Sequence, residues 1–292
     1  MLKLLRGLVV LAGLLGALLP ATAPAQPARN APVAMVTDLE GPASLIGEKR
    51  SLAILEDLSL DQRIELGKGA RMVLVFLKSG DEYAFKGPAL VLVRQAQADA
   101  VSGAKPEKRS TLFGGSGREI RISPIGVNQG AVLMRSMPGE PRLSLLSLSE
   151  TITLDSWPEF RWRGIQAGTL GRLQLFDDKG RQILEREVSG DAMTLPGDVR
   201  LKSGIRYRWI VAGKGPGGQA VSGAAHFSFA SLELRSEAER LRPGTGATLS
   251  EQVIYAAWLE QKELHDEARK YWRMAASERP NDSRLRELAG PF

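Results

Sequence analysis

The chain has 292 residues, a hydrophobic fraction of 43% and a formal net charge of +6 at pH 7. It contains no cysteine, which excludes disulfide bonds, thiolate metal sites and lipid attachment at an N-terminal cysteine. Basic residues are interleaved with acidic ones, so the charge gives little support for nucleic-acid binding. The length predicts about two domains, whereas the motifs divide the chain into three small units.

Residues 1–25 have the pattern of a secretory signal peptide. Lys3 and Arg6 precede an apolar run from Leu8 to Leu19, and small residues end the segment at Ala23-Pro24-Ala25. We therefore expect export to the periplasm with cleavage after Ala25. The apolar run is shorter than the roughly 20 residues of a spanning helix, and an uncleaved membrane anchor is the alternative.

Residues 33–94 contain short strand-like runs separated by turn residues. Gly67-Lys68-Gly69, Ser79-Gly80-Asp81 and Gly87-Pro88 supply turns, so the pattern predicts a compact β-sandwich or roll. The order of glycines and strands resembles the periplasmic β-domain of FecR-like proteins. That resemblance implies a module that contacts proteins or envelope polymers. Signalling regulators of that family carry a cytoplasmic segment and a membrane span before this domain, where we expect only a signal peptide.

Two segments are expected to connect the first β unit to the next. Residues 95–118 are polar and rich in glycine and serine, which predicts a flexible linker or loop. Within residues 119–141, two further strand-like runs are expected to complete the first unit or to lead into the second.

Residues 142–231 show the most regular alternation of large apolar residues with arginine. Phe160 and Trp162 fall on one face of a predicted strand, and Tyr207 and Trp209 on one face of another. This pattern predicts an antiparallel sandwich with an aromatic core. The alternative is that Trp162 and Trp209 form a carbohydrate platform.

Three short motifs of this segment resemble exported fibronectin type III-like domains. They are Pro158-x-Phe160-x-Trp162, Leu195-Pro196 and Gly204-x-x-Tyr207-x-Trp209. The resemblance implies a fold more than a function.

Residues 236–292 are expected to be helical. Thr248-Leu249-Ser250-Glu251 is a capping box that opens a helix running to about Glu263, and a second helix is expected from Asp266 to Glu278. Ala268, Trp272, Ala275 and Pro280 resemble the second half of a tetratricopeptide repeat.

The repeat resemblance implies that the inner face of the first helix binds a peptide or another protein. The candidate partner contacts are Val253, Ala257, Glu260 and Gln261. The alternative is that the helix pair only packs on the sandwich, because a lone helical hairpin cannot bury its apolar face.

The sequence predicts no catalytic residue, no cofactor, no metal site and no enzymatic activity. His226 and His265 are the two histidines, and neither belongs to a metal-binding spacing. Gly213–Gly218 satisfies G-x-G-x-x-G, but a strand is predicted after it where a dinucleotide site needs a helix. Asp177-Asp178 are predicted to lie in a hairpin turn, where adjacent carboxylates cannot face each other across a cleft.

These patterns predict a mainly β protein with a C-terminal α-helical segment: a FecR-like sandwich or roll, a fibronectin-like antiparallel sandwich and a helical hairpin. The function that fits is a non-enzymatic periplasmic scaffold or adaptor that contacts another envelope protein or peptide. A polysaccharide- or peptidoglycan-binding envelope protein is the alternative, and a FecR-type signalling regulator is a further one. We expect no nucleic-acid partner, and membrane contact only if the leader is retained.

Overall fold

The computed structural model describes residues 31–48, 50–111, 113 and 143–290. Within these ranges, strands β1 to β17 form four sheets and helices α1 to α4 follow them. The predicted fold class, mainly β with a C-terminal helical segment, is confirmed at this level. The expected signal peptide (residues 1–25) and connecting strands (residues 119–141) lie outside the described residues.

The first β unit consists of two antiparallel sheets packed face to face. Its strands are β1 (Pro32–Glu40), β2 (Ala43–Leu45), β3 (Asp57–Ser59), β4 (Arg63–Leu66), β5 (Arg71–Phe76), β6 (Asp81–Lys86), β7 (Ala89–Val93), β8 (Ala98–Ser102) and β9 (Glu107–Ser110). One sheet has the order β3-β1-β5-β6-β9 and the other β2-β4-β7-β8. Alternate residues such as Leu74, Phe85 and Val91 meet in the core between them.

The five-stranded sheet is buried on both faces. Met72, Leu74 and Phe76 point into the core between the two sheets, whereas Val75 and Leu77 point into a second core that contains the C-terminal helices. This double burial explains why β5 is a continuous apolar run, because both sets of alternating side chains are removed from water.

Part of the segment 95–118 is ordered, which corrects the expectation of a flexible linker or loop. Strand β8 pairs with β7 and β9 pairs with β6, both antiparallel. The glycine at position 103 serves the turn between them: its φ is +95°, and an added Cβ would lie 2.7 Å from the carbonyl oxygen of Pro88. The residues of this segment after Phe113 lie outside the described part of the chain.

The central unit is a second sandwich, built from β10 (Ser144–Leu145), β11 (Thr151–Thr153), β12 (Glu159–Arg163), β13 (Leu170–Phe176), β14 (Gln182–Ser189), β15 (Ala192–Thr194), β16 (Arg206–Lys214) and β17 (Ala220–Phe229). A three-stranded sheet, β10-β12-β15, faces a five-stranded sheet, β11-β17-β16-β13-β14. The pairing of β11 with β17 is parallel, and the other pairs are antiparallel.

The core of this sandwich is aromatic, as the alternation predicted. Trp162 and Trp209 are both fully buried, which rules out the alternative that they form an open carbohydrate platform. The ring of Phe160 meets those of Trp209 and Phe227 edge-on, with centroids 5.2 and 5.9 Å apart.

The C-terminal segment contains α1 (Leu232–Leu241), α2 (Leu249–Gln261), α3 (His265–Glu278) and α4 (Ser283–Ala289). The predicted capping box of α2 is present, with Thr248 Oγ1 accepting from Glu251 N at 3.3 Å and Glu251 Oε2 accepting from Thr248 N at 2.8 Å. The segment begins a few residues earlier than expected because Ser231 caps α1. In the described part of the chain, no helix is both long and apolar enough to cross a membrane.

Candidate functional site

The four predicted partner contacts on α2 do not form an exposed surface. Val253 and Ala257 are 0% and 1% exposed in the core that joins the helices to Met35 and Val75 of the first β unit. Glu260 is partly buried and Gln261 is exposed. The hypothesis that Val253 and Ala257 bind a partner is therefore wrong for this structure. The strip of α2 that an external peptide would occupy is covered by the chain's own β-sheet.

The two histidines contact neighbouring residues of the sandwich, Glu150 and Thr151, but their imidazoles bind different carboxylates. His226 lies on β17, where its Nδ1 is 3.1 Å from Glu150 Oε1. His265 begins α3, where its Nδ1 is 2.5 Å from Glu260 Oε2. Among the described residues, no cluster of three or more histidine, aspartate and glutamate side chains has the geometry to hold a metal ion.

The other two motifs weighed as chemical sites are turns of the central sandwich. Gly213–Gly218 joins β16 to β17, with Gly215 N donating to the carbonyl of Gln219 at 2.8 Å. Asp177 bonds the backbone and guanidinium of Arg181 within a hairpin turn. Neither motif has the setting that a dinucleotide or a pair of catalytic carboxylates requires.

The linings of two small clefts in the described part of the chain contain charged residues. One cleft, of about 130 Å³, lies between the N-terminus of α2 and the five-stranded sheet of the first unit. Its polar lining contains both charges and consists of Asp38, Arg71, Glu107, Arg109, Thr248 and Ser250. A second, of about 280 Å³, lies at one end of the central sandwich beside Arg163 and Asp191. Each lining combines arginine with acid, so neither favours a ligand of one charge.

Polar contacts surround the buried apolar interface between the helices and the first β unit. Arg279, which caps α3, binds Asp38 of β1 through two nitrogens at 3.0 and 3.1 Å. Thr37 and Ser250 share a buried hydrogen bond of 2.7 Å, and Arg284 donates to the carbonyl of Ile54 at 3.2 Å. Burial raises the pKa of Asp38 above its ordinary value, and the Arg279 guanidinium opposes that rise.

The Asp38–Arg279 pair gives a first prediction. Arg279→Gln should lower the free energy of unfolding by about 1–3 kcal/mol at pH 7, because it leaves the nearly buried Asp38 carboxylate without its bidentate partner. The pKa of Asp38 should then rise further, so the loss should shrink as the pH falls and Asp38 becomes protonated. Urea unfolding at pH 7 and pH 4.5 checks both points. Arg286→Gln, at an exposed position on α4, is the control. An equal loss at both pH values would contradict the prediction.

A second set of contacts joins the helices to the central sandwich, at a place we name the junction: residues 148–152 of the sandwich and residues 260–266 of the helical segment. The carbonyl of Glu263 accepts from Ile152 N at 2.7 Å and from Thr151 Oγ1 at 3.0 Å. Thr151 Oγ1 in turn accepts from His265 N at 3.0 Å. The loop between α2 and α3 is thus hydrogen-bonded to β11.

The first turn of α3 extends the junction towards the sandwich core. Asp266 Oδ2 accepts from Leu148 N at 2.7 Å, and its other oxygen binds Arg269 at 2.8 Å. The carbonyl of Leu148 accepts from the buried Trp209 Nε1 at 2.9 Å. One short residue run therefore connects the central aromatic core to the helices. This role of Asp266 was not predicted from the sequence, where its only signal was an acidic residue in the first turn of a helix.

The backbone at the junction is held in unusual conformations. Leu148, Glu150 and Glu263 have φ values of 51°, 47° and 59°, in the left-handed region that disfavours residues with a Cβ. All three have large side chains, so the surrounding hydrogen bonds must offset their strain.

The amino-acid sequence matches no protein-family model, and no curated protein is detectably similar to it. The structural features that bear on its function are the junction and the core that the helices share with the first β unit.

Proposed function

We propose that this protein is a non-enzymatic scaffold or adaptor of the cell envelope, exported to the periplasm, that contacts another envelope protein. The observation that carries the proposal is the placement of α2 and α3 against both β units. They share a buried core with the first unit and hydrogen-bond to β11 of the second. The described residues from Pro32 onward therefore belong to one compact unit. Such a unit holds its exposed surfaces at fixed distances from one another, which suits a scaffold.

The proposal includes the family resemblance of each unit. For a fibronectin type III-like central unit, the support is the sheet pairing and the contact of Tyr207, near the start of β16, whose hydroxyl accepts from Lys202 N at 2.7 Å. A tyrosine bonded to backbone a few residues upstream is a recurrent corner of such sandwiches. For a FecR-like first unit, the support is the position of Gly67-Lys68-Gly69 between β4 and β5 and of Ser79-Gly80 between β5 and β6.

The tetratricopeptide-like pair takes a structural part in this proposal. Ala268, Trp272 and Ala275 are all fully buried, as the repeat pattern expects. Because Val253 and Ala257 are buried, a partner would bind to other residues, on the exposed surface of the chain.

One observation favours the polymer-binding alternative. Trp157 is 46% exposed on the loop before β12, whereas the other four tryptophans are buried. An exposed indole ring is a suitable platform for a sugar ring, because its face is apolar and its edge carries a donor.

A paired binding experiment separates the two functions. The mature protein, residues 26–292, is used as bait in envelope extracts and is also sedimented with purified sacculi. Capture of one protein at constant stoichiometry, and its rebinding as a purified component, supports the adaptor. Saturable sedimentation with sacculi that Trp157→Ala reduces, without a protein partner, reverses the ranking.

A further inference from the structure

His265 and Glu260 hold the loop between α2 and α3 in place at the junction. Glu260 projects from the last turn of α2 and His265 is the first residue of α3, and the Nδ1 to Oε2 distance is 2.5 Å. The second oxygen of Glu260 accepts from the indole Nε1 of the buried Trp272 at 3.2 Å. One carboxylate therefore ties together the end of one helix, the start of the next and the core between them.

The same histidine reaches the sandwich through its backbone. Its amide donates to Thr151 Oγ1, and the loop residue Glu263 accepts from Ile152 N and Thr151 Oγ1. Movement of the His265 side chain away from Glu260 would therefore loosen the loop that carries these contacts. The left-handed backbone of Leu148, Glu150 and Glu263 favours such release, because the strain is relieved when the contacts open.

We infer that the junction is a pH-sensitive latch, closed while the His265 imidazolium binds Glu260 and loosened when His265 loses its proton. The two β units would then be rigidly coupled through the helices at acidic and neutral pH, and less so at higher pH. The latch does not depend on which partner the protein binds.

The charged groups around His265 favour its protonated form. From α2 it faces Glu260, from the loop Glu263, and from α3 Asp266. On the sandwich side, Thr151 supplies a neutral hydroxyl, and the nearby Glu150 carboxylate is engaged by Arg206 and His226. Of the basic neighbours, Arg269 binds Asp266 and Lys262 lies over the ring of Trp258.

The direction of the pH effect follows from the pKa of His265. The hydrogen bond with Glu260 raises this pKa above its ordinary value of 6.5, and burial opposes the rise. A group whose pKa is raised by folding stabilises the folded junction fully below about pH 6.5, and this stabilisation is lost as the pH rises through the folded-state pKa. Above the folded-state pKa, the contact between His265 and Glu260 is at most a hydrogen bond from a neutral imidazole to a carboxylate, without the attraction between two opposite charges.

Hydrogen exchange of the Ile152 amide tests the latch in the full mature chain. Protection is measured between pH 5.5 and pH 8.5 and corrected for intrinsic exchange, while the two imidazoles are titrated by NMR. In the wild type, protection at Ile152 should fall roughly tenfold across the titration of His265, a factor that corresponds to about 1.4 kcal/mol. The fall should be absent in His265→Gln.

Two further variants complete the test. His226→Gln removes the other histidine, which contacts Glu150 of the junction from β17, and should keep the fall in protection that follows the titration of His265. Loss of the pH dependence in this variant would assign it to His226 and overturn the latch. Glu260→Gln retains an acceptor without its charge and should abolish the dependence, which covers the case that His265→Gln does not fold. Constant protection while His265 titrates, or an unchanged pH dependence in His265→Gln or Glu260→Gln, would overturn the latch.

Discussion

Val253→Asp should abolish the folded arrangement of the helices on the first β unit, with a loss of at least about 4 kcal/mol in the free energy of unfolding. Val253 is fully buried in the core shared with Met35 and Val75. A carboxylate there has neither water nor a cation to offset its desolvation, which places the change among the most destabilising kinds of substitution. Thermal unfolding followed by circular dichroism measures the loss.

Gln261→Asp is the matched control, because it introduces the same side chain eight positions along α2 at an exposed site. Because a carboxylate in the last turn of a helix opposes the helix dipole, this variant should lose no more than about 1 kcal/mol in the free energy of unfolding. The pair also separates two interpretations of α2. If Val253→Asp were as stable as Gln261→Asp and lost only partner binding, the face of α2 that carries Val253 would be a docking surface. Its assignment to a core shared with the first β unit would then be wrong.

Trp272→Ala should cost about 3–5 kcal/mol, the range for emptying a buried aromatic site. Trp272 is fully buried, and Ala268 and Ala275, one turn to either side, leave the space that its ring fills. The change also removes the indole donor to Glu260. Because the helices share their core with the first β unit, both should unfold together at a lower temperature, while the central sandwich keeps the transition of its separate core.

Trp157→Ala provides the control for Trp272→Ala, since Trp157 is half exposed and its removal opens no cavity. Circular dichroism at 222 nm reports the helices, and hydrogen exchange of β5 and β16 reports the two β units. Loss of the helical signal with β5 still protected would show that the helical hairpin unfolds independently of the first unit. A single transition at lower temperature for the helices and both β units would show that the junction couples the central sandwich to the helices as strongly as a shared core does.

Local patterns of the sequence were sufficient where the interaction is local. The capping box at Thr248 and Glu251 lies within one turn, and the alternation around Phe160 and Trp162 follows from the two-residue period of a strand. Both predictions are confirmed by the hydrogen bonds of the cap and by the burial of the rings. The segment after Val93 shows the limit of composition, because glycine and serine content does not reveal that Tyr83 pairs with Lys108 across a sheet.

The stripe of Val253 and Ala257 shows a second limit. Its spacing predicts an apolar face but carries no information about what covers that face. In a repeat array a neighbouring repeat or a bound peptide would do so, whereas here the outer face of a β-sheet does. The only advance signal was the continuous apolar run of β5, which indicates a strand buried on both sides.

The sequence by itself determined most of the strands, the helical segment and the aromatic core of the central sandwich, because each depends on periodicity and on contacts within a few residues. Only the tertiary structure decided that the helices belong to the core of the first unit and that Asp266 binds Leu148, a residue 118 positions earlier. Such contacts depend on how separate surfaces meet. The chemistry of a side chain determines which partners it can bind, and the path of the backbone determines which of those partners lie within its reach.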